Sequence, residues 1–117
     1  HGRVDDDLVE WAYGDYEGVT TVEIREHTPG WTVWHGDVPG GEAIEDVAAR
    51  ARHVIDRVIA EAGTRALLVA HGHFLRVLAM TWLGTSPRLG EHFRKDTTTI
   101  SVLGWDRGVP IIERWNG

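Results

Sequence analysis

The chain has 117 residues, a formal net charge of −6 and no cysteine. This length predicts one domain that is large enough to bury a core, and the lack of thiols excludes disulfides and thiolate chemistry. The acidic balance argues against nucleic acid as a partner, because a phosphate backbone is bound by clustered Lys and Arg. No apolar run has the length of a membrane span and no segment resembles a signal peptide, so we expect a cytoplasmic protein without a membrane partner.

The first third of the chain is predicted to be mostly loop. Residues 8–18 combine aromatic rings, carboxylates and glycines without a sustained helical or strand period, which indicates a functional loop. Thr20 or Thr21 is predicted to cap a short helix over residues 22–27. The apolar cluster in residues 31–34 is too short to form a core alone and is expected to cover one.

The longest helix is predicted over residues 44–62, after a Val-Pro-Gly-Gly-Glu turn that ends at Glu42. Its apolar positions recur at helical spacing and form one stripe, while charged residues occupy the rest of the surface. Glu42 lies where its charge suits the helix dipole, and Gly63 closes the other end. This helix is expected to bury one face.

A buried strand followed by a His-Gly-His turn is the centre of the predicted fold. Residues 66–70 are all apolar, which is typical of a strand covered on both faces in a parallel sheet. His71 and His73 come where this strand gives way to a helix that runs from Phe74 to Gly84. Ligands bind at such carboxyl ends in open α/β sheets, and the first amides of the helix favour an anion, most simply a phosphate.

The C-terminal third is predicted to contain a short helical turn and a β-hairpin. The turn covers residues 88–93, and β-branched residues 97–103 indicate a strand. A turn at residues 106–108 leads into a second strand over residues 109–115. The order of elements predicts an α/β fold whose last strands pair antiparallel.

Seven histidines raise the alternative of a metal site. His71 and His73 are the one pair with local ligand-like spacing, but zinc needs further ligands that the spacing does not supply. We therefore predict no metal and no cofactor.

Three motifs in this order resemble the histidine phosphatase superfamily, the phosphoglycerate mutase-like proteins. Residues 8–18 are similar to the acid-bearing loop of that family, and residues 39–43 to its Gly-Glu-Ser turn, with Ala43 in place of the serine. Residues 69–73 (Val-Ala-His-Gly-His) are similar to its second His-Gly motif, with Arg76 matching an arginine that often follows. The resemblance implies a three-layer α/β/α fold with a mostly parallel sheet.

The resemblance also implies a chemistry, phosphoryl transfer through a phosphohistidine. Glu10 would be the general acid and later the base, and His71 would donate a hydrogen bond to the transferring phosphoryl group. The amides of Gly72 and His73 would assist in binding phosphate. Glu17 and Glu42 are interpreted as structural.

The family's nucleophile lies in an Arg-His-Gly motif upstream of the acid loop, and this sequence has no match to it. His1-Gly2 precedes Arg3 and follows no strand, so we do not assign His1 this role. Residues 1–117 are therefore expected to form the C-terminal part of a histidine phosphatase and to be inactive alone. The intact protein is predicted to hydrolyse small phosphomonoesters. A phosphoglycerate mutase and a non-catalytic phosphate-binding module remain as alternatives. For any of these functions, the partner is a small phosphorylated substrate or inorganic phosphate, and a homodimer is left open.

Overall fold

The computed structural model describes residues 6–62, 72–97 and 99–117. Its helices are α1 (Thr21–His27), α2 (Ile44–Ala62) and α3 (Gly72–Leu83), and its strands are β1 (Val102–Asp106) and β2 (Val109–Arg114). Short 3₁₀ turns cover Asp6–Leu8, Gly14–Tyr16 and Pro87–His92. The strand predicted over residues 66–70 lies outside the described residues, so the parallel sheet and the three-layer arrangement stay predictions.

The three main helix predictions are confirmed, although α3 begins two residues earlier than predicted, at Gly72 rather than at Phe74. Thr20 is the cap of α1, since its hydroxyl accepts a hydrogen bond of 3.2 Å from the Glu23 amide. Helix α2 has the predicted bounds, and its stripe packs against α3. The cluster predicted to cover the core does so, because Trp31 and Trp34 are buried. The core of the described residues joins these parts through Trp11, Ile24, Trp31, Val33, Trp34, Ile44, Val47, Ala51, Val54, Ile55, Phe74, Val77, Leu78 and Trp82.

The C-terminal hairpin is confirmed, but its first strand begins later than predicted. Arg107 and Gly108 both have positive φ (51° and 84°), as a tight two-residue hairpin turn requires. Strand β1 starts at Val102, and the ladder shifts register directly after it. In the segment before it, the ammonium group of Lys95 donates to Thr99 and Ser101, and these side-chain hydrogen bonds compete with a regular ladder.

Within the described ranges, no helix combines the length and the apolar character needed to cross a membrane.

Candidate active site

The carboxylate of Glu10 occupies the N-terminus of α3. Its Oε1 accepts hydrogen bonds from the amides of Phe74 (2.8 Å) and Trp11 (3.0 Å), and its Oε2 accepts one from the amide of His73 (3.2 Å). The first amides of a helix have no partner within the helix, and the dipole there favours negative charge. The anion at this helix start is thus a side chain of the acid loop, which lies more than sixty residues away in the sequence.

The acid loop is held in turn by the Gly-Gly-Glu turn that precedes α2. The Ala12 amide donates to Glu42 Oε1 and the Glu42 amide donates to the Ala12 carbonyl, both at 2.9 Å. The Trp11 indole donates to the Glu42 carbonyl, also at 2.9 Å. A Cβ on Gly41 would overlap the Ala12 carbonyl oxygen, so only glycine permits this approach. Two of the three predicted motifs therefore lie side by side.

One arginine of α2 joins these segments. Arg50 binds the Glu42 carboxylate with Nε and Nη2, each at 2.8 Å, in a bidentate fork. Its Nη1 donates to the carbonyls of Asp7 (2.7 Å) and Val9 (2.9 Å), immediately before Glu10. The guanidinium carbon also lies 4.9 Å from the centroid of the Phe74 ring. Arg50 thereby fixes the backbone that carries Glu10 relative to the start of α3.

Glu42 is ionised by this arrangement. Burial opposes its negative charge, but the hydrogen bonds from Arg50 and from the Ala12 amide, together with the Arg50 charge, outweigh burial and lower the pKa of Glu42. Glu17 also binds backbone, since its Oε2 accepts from the Tyr13 amide at 2.9 Å. Glu17 and Glu42 thus both bind backbone amides of the acid loop, which agrees with their interpretation as structural residues.

The ring of His73 stands in an aromatic surround next to Glu10. The rings of Trp11, Tyr13 and Trp34 meet it edge-on, with centroids 6.4, 5.9 and 5.6 Å away. The Tyr13 hydroxyl lies 2.5 Å from His73 Nδ1. Burial lowers the pKa of His73, and the nearby Arg76 charge adds to this effect while Glu10 opposes it, so the ring is neutral at pH 7.

A cleft of about 540 Å³ opens beside His73. Its wall includes the aromatic side chains of Tyr13, Tyr16, Trp31 and Trp34, and Arg25 and Glu91 add charged groups. Most pockets that bind small molecules have such apolar and aromatic walls with a few polar groups. The cleft extends from His73, near the start of α3, to the α1 residues Ile24 and Arg25.

Arg76, the residue matched to a family arginine, binds backbone carbonyl groups and lies over the ring of Trp34. Its Nε donates to the Gly90 carbonyl and its Nη2 to the Glu91 carbonyl, both at 2.9 Å. Its guanidinium carbon lies 4.8 Å from the centroid of the Trp34 ring. These contacts join α3 to the 3₁₀ turn Pro87–His92 and support one wall of the cleft.

The structure brings together Glu10, Gly72 and His73 from the predicted site. His71, the central residue of that prediction, and His1 lie outside the described residues. The amides predicted to bind phosphate include that of His73, which here donates to Glu10. Arg50 is an organising residue that the sequence does not reveal, because its place on the charged surface of α2 carries no signal of a distant partner. The pairing of Tyr13 with His73 is likewise not evident from the sequence.

Comparison with protein families identifies a family for nearly the whole chain. The profile of the histidine phosphatase superfamily (branch 1) matches residues 2–117. An acid phosphatase of Mycobacterium tuberculosis is 38% identical over 103 residues, which are 87% of this chain and 51% of that protein. A 2,3-bisphosphoglycerate-dependent phosphoglycerate mutase of Methylorubrum extorquens is 34% identical over 118 residues, which are 92% of this chain and 50% of the mutase. The chain thus spans about half the length of these two relatives.

A solved structure shows the same fold. The product of an open reading frame of Mycobacterium tuberculosis superimposes with a TM-score of 0.92 at 34% identity, over 98% of this chain and 60% of that one. The described residues therefore share the fold of a part of that larger protein.

Proposed function

Since the chain belongs to the histidine phosphatase superfamily (branch 1), we propose that the full-length protein containing it hydrolyses small phosphomonoesters through a phosphohistidine intermediate. The observation that carries this proposal is the position of Glu10, whose carboxylate lies at the start of the helix that follows the His-Gly motif. An acid at this junction would lie next to a phosphoryl group bound at the start of α3. Similarity to a mycobacterial acid phosphatase supports hydrolysis as the reaction.

The proposed reaction has two steps. A histidine nitrogen forms a bond to phosphorus while the bond from phosphorus to the ester oxygen breaks, and protonated Glu10 gives its proton to the departing alkoxide. Water then loses a proton to the Glu10 carboxylate and attacks phosphorus, which releases inorganic phosphate and the free histidine. No motif in this sequence matches the nucleophile, so the proposal concerns the full-length protein.

The hydrogen bonds of Glu10 indicate which of its oxygens carries the proton. Oε1 accepts two amide hydrogen bonds, at 2.8 and 3.0 Å, whereas Oε2 accepts one, at 3.2 Å. Oε2 therefore has the greater remaining capacity to bind a proton. Oε1 anchors the side chain.

His71 and the Gly72 amide complete the proposed phosphate site. His71 would donate a hydrogen bond to a nonbridging phosphoryl oxygen, and the Gly72 amide would add the field of the helix N-terminus. The His73 amide donates to Glu10. A bound phosphate would share this helix start with the acid, which brings the proton donor close to the ester oxygen.

The test is phosphate release from p-nitrophenyl phosphate by the full-length protein and by its Glu10→Gln and His71→Ala variants. We expect both variants to lose at least about 100-fold in kcat, as removal of an acid or of a phosphoryl hydrogen bond does. The matched control is His53→Gln, since His53 is exposed on α2.

Intact mass after an acid-free quench should show one added phosphoryl group in the wild type. A wild type that releases no phosphate and forms no adduct would overturn the proposal in favour of a binding module. Transfer to phosphoglycerate without phosphate release would establish a mutase instead.

A further inference from the structure

The imidazole of His73 has a fixed orientation and no role in the phosphoryl chemistry described above. Three aromatic rings surround it, and the Tyr13 hydroxyl lies 2.5 Å from its Nδ1. His73 also lines the cleft, while its backbone amide donates to Glu10. A polar ring that is held this firmly between the acid and a cleft is placed to contact whatever the cleft binds.

The protonation states of the pair define what the ring offers. Burial raises the pKa of Tyr13, and the negative charges of Glu10 and Glu17 raise it further, so the phenol keeps its hydrogen at neutral pH. His73 is neutral there. When the phenol donates to Nδ1, the neutral ring carries its hydrogen on Nε2 and presents an N–H donor on the opposite side.

The cleft indicates which kind of group this donor meets. Rings of Tyr13, Trp31 and Trp34 suit the C–H surface of a small carbon skeleton, and an N–H donor among them needs an acceptor oxygen. A hydroxylated alcohol supplies both. Esterified to phosphate, such an alcohol would occupy the cleft while its phosphoryl group lies at the start of α3.

We propose, on the basis of the function proposed above, that His73 is a specificity residue whose Nε2–H donates a hydrogen bond to a hydroxyl group of the substrate's alcohol moiety. Tyr13 is the positioning residue that holds the ring in this tautomer. The preferred substrates are then phosphomonoesters of hydroxylated alcohols rather than of plain alkyl alcohols.

Two substrates that differ only in hydroxyl groups test this assignment in the full-length protein. Glycerol 2-phosphate and propan-2-yl phosphate share the same branched ester carbon, and the wild type should prefer the first by about tenfold in kcat/KM, the value of one good neutral hydrogen bond. His73→Phe should reduce this preference to about onefold, mainly through KM. His73→Gln, which keeps an N–H donor, should restore part of it, and His53→Gln should leave it unchanged.

Orthovanadate inhibition separates this proposal from the function on which it rests. Vanadate has no alcohol moiety, so its inhibition constant should be the same in the wild type and in His73→Phe. Equal loss of activity toward both substrates in His73→Phe, or an unchanged preference, would overturn the specificity role while leaving the phosphatase intact. A wild type that hydrolyses neither ester would overturn the phosphatase and the specificity role together.

The positioning role of Tyr13 has its own spectroscopic measurement. Nitrogen-15 NMR of labelled imidazoles should show His73 with its hydrogen on Nε2 in the wild type, and a mixture of tautomers in Tyr13→Phe. A wild-type ring with its hydrogen on Nδ1 would overturn this assignment.

Discussion

Replacing Glu10 by glutamine should destabilise the protein as well as inactivate it. The change preserves shape but removes the negative charge from the N-terminus of α3. Glutamine can keep Oε1 as the acceptor for Trp11 and Phe74, but its NH₂ group then faces the His73 amide, which is also a donor. One hydrogen bond is replaced by two opposed donors.

The expected loss is about 2 kcal/mol in the free energy of unfolding. A hydrogen bond to a charged acceptor contributes about 1.5–3 kcal/mol, and a carboxylate at a helix N-terminus contributes about 0.3–1 kcal/mol. Partial exposure of Glu10 to solvent places the sum toward the lower end. The sign of the stability change is informative, because replacing a residue that contributes only to catalysis often raises the stability of an enzyme.

The assay is urea denaturation of the full-length protein at pH 7, in which Glu10→Gln and a control variant are each compared with the wild type. Glu17→Gln is the matched control, since Glu17 is exposed and accepts a single loop amide, from Tyr13, which the amide oxygen of glutamine can also accept; it should cost less than about 1 kcal/mol. An equal m-value would show that the denatured state is unchanged. If Glu10→Gln unfolds at the same urea concentration as the wild type or at a higher one, the contact between Glu10 and α3 does not stabilise the protein and the reasoning fails.

Three further perturbations concern the neighbourhood of Glu10. Arg50→Lys should cost about 2 kcal/mol in unfolding free energy and lower kcat, because a point charge cannot keep the bidentate fork and both carbonyl contacts; unchanged urea melts would contradict this. The pKa of Glu42 is lowered in the folded state, so its ionised form stabilises the fold above the unfolded pKa near 4.3. The difference in unfolding free energy between wild type and Glu42→Gln should therefore be constant from pH 7 to about 5 and shrink as the pH falls below about 4.3. Gly41→Ala should lower stability by about 2–3 kcal/mol, since the added methyl overlaps the Ala12 carbonyl; thermal melting measures it, and a neutral result would show that the loop moves aside.

Much of the helical structure followed from local chemistry. The stripe over residues 44–62 fixed α2, and a threonine cap fixed α1, because each signal lies within one or two turns of chain. The hairpin was equally local. The start of β1 was predicted too early because the β-branched residues 97–100 carried no sign of the hydrogen bonds that Lys95 makes with Thr99 and Ser101.

The order of three motifs predicted that Glu10 and the His-Gly helix would meet, but through a family likeness rather than from the residues themselves. The partners of the carboxylate are backbone amides, which every residue possesses and which no side-chain pattern reveals. Arg50 was equally hidden, because an arginine beside an apolar stripe has the same periodicity whether it faces water or a loop forty residues away. Long-range polar contacts of this kind need the folded chain.

Glu10 has two roles, as the proposed proton donor and as the acceptor that holds the start of α3, and this affects how relatives without activity should be recognised. A descendant that had lost its nucleophile would no longer need a proton donor, yet α3 would still be held by the same carboxylate. Selection for folding alone would retain the glutamate at this position. A conserved acid in the loop is therefore a poor diagnostic of a working enzyme, and an inventory of active members should rest on residues whose only contribution is to the reaction.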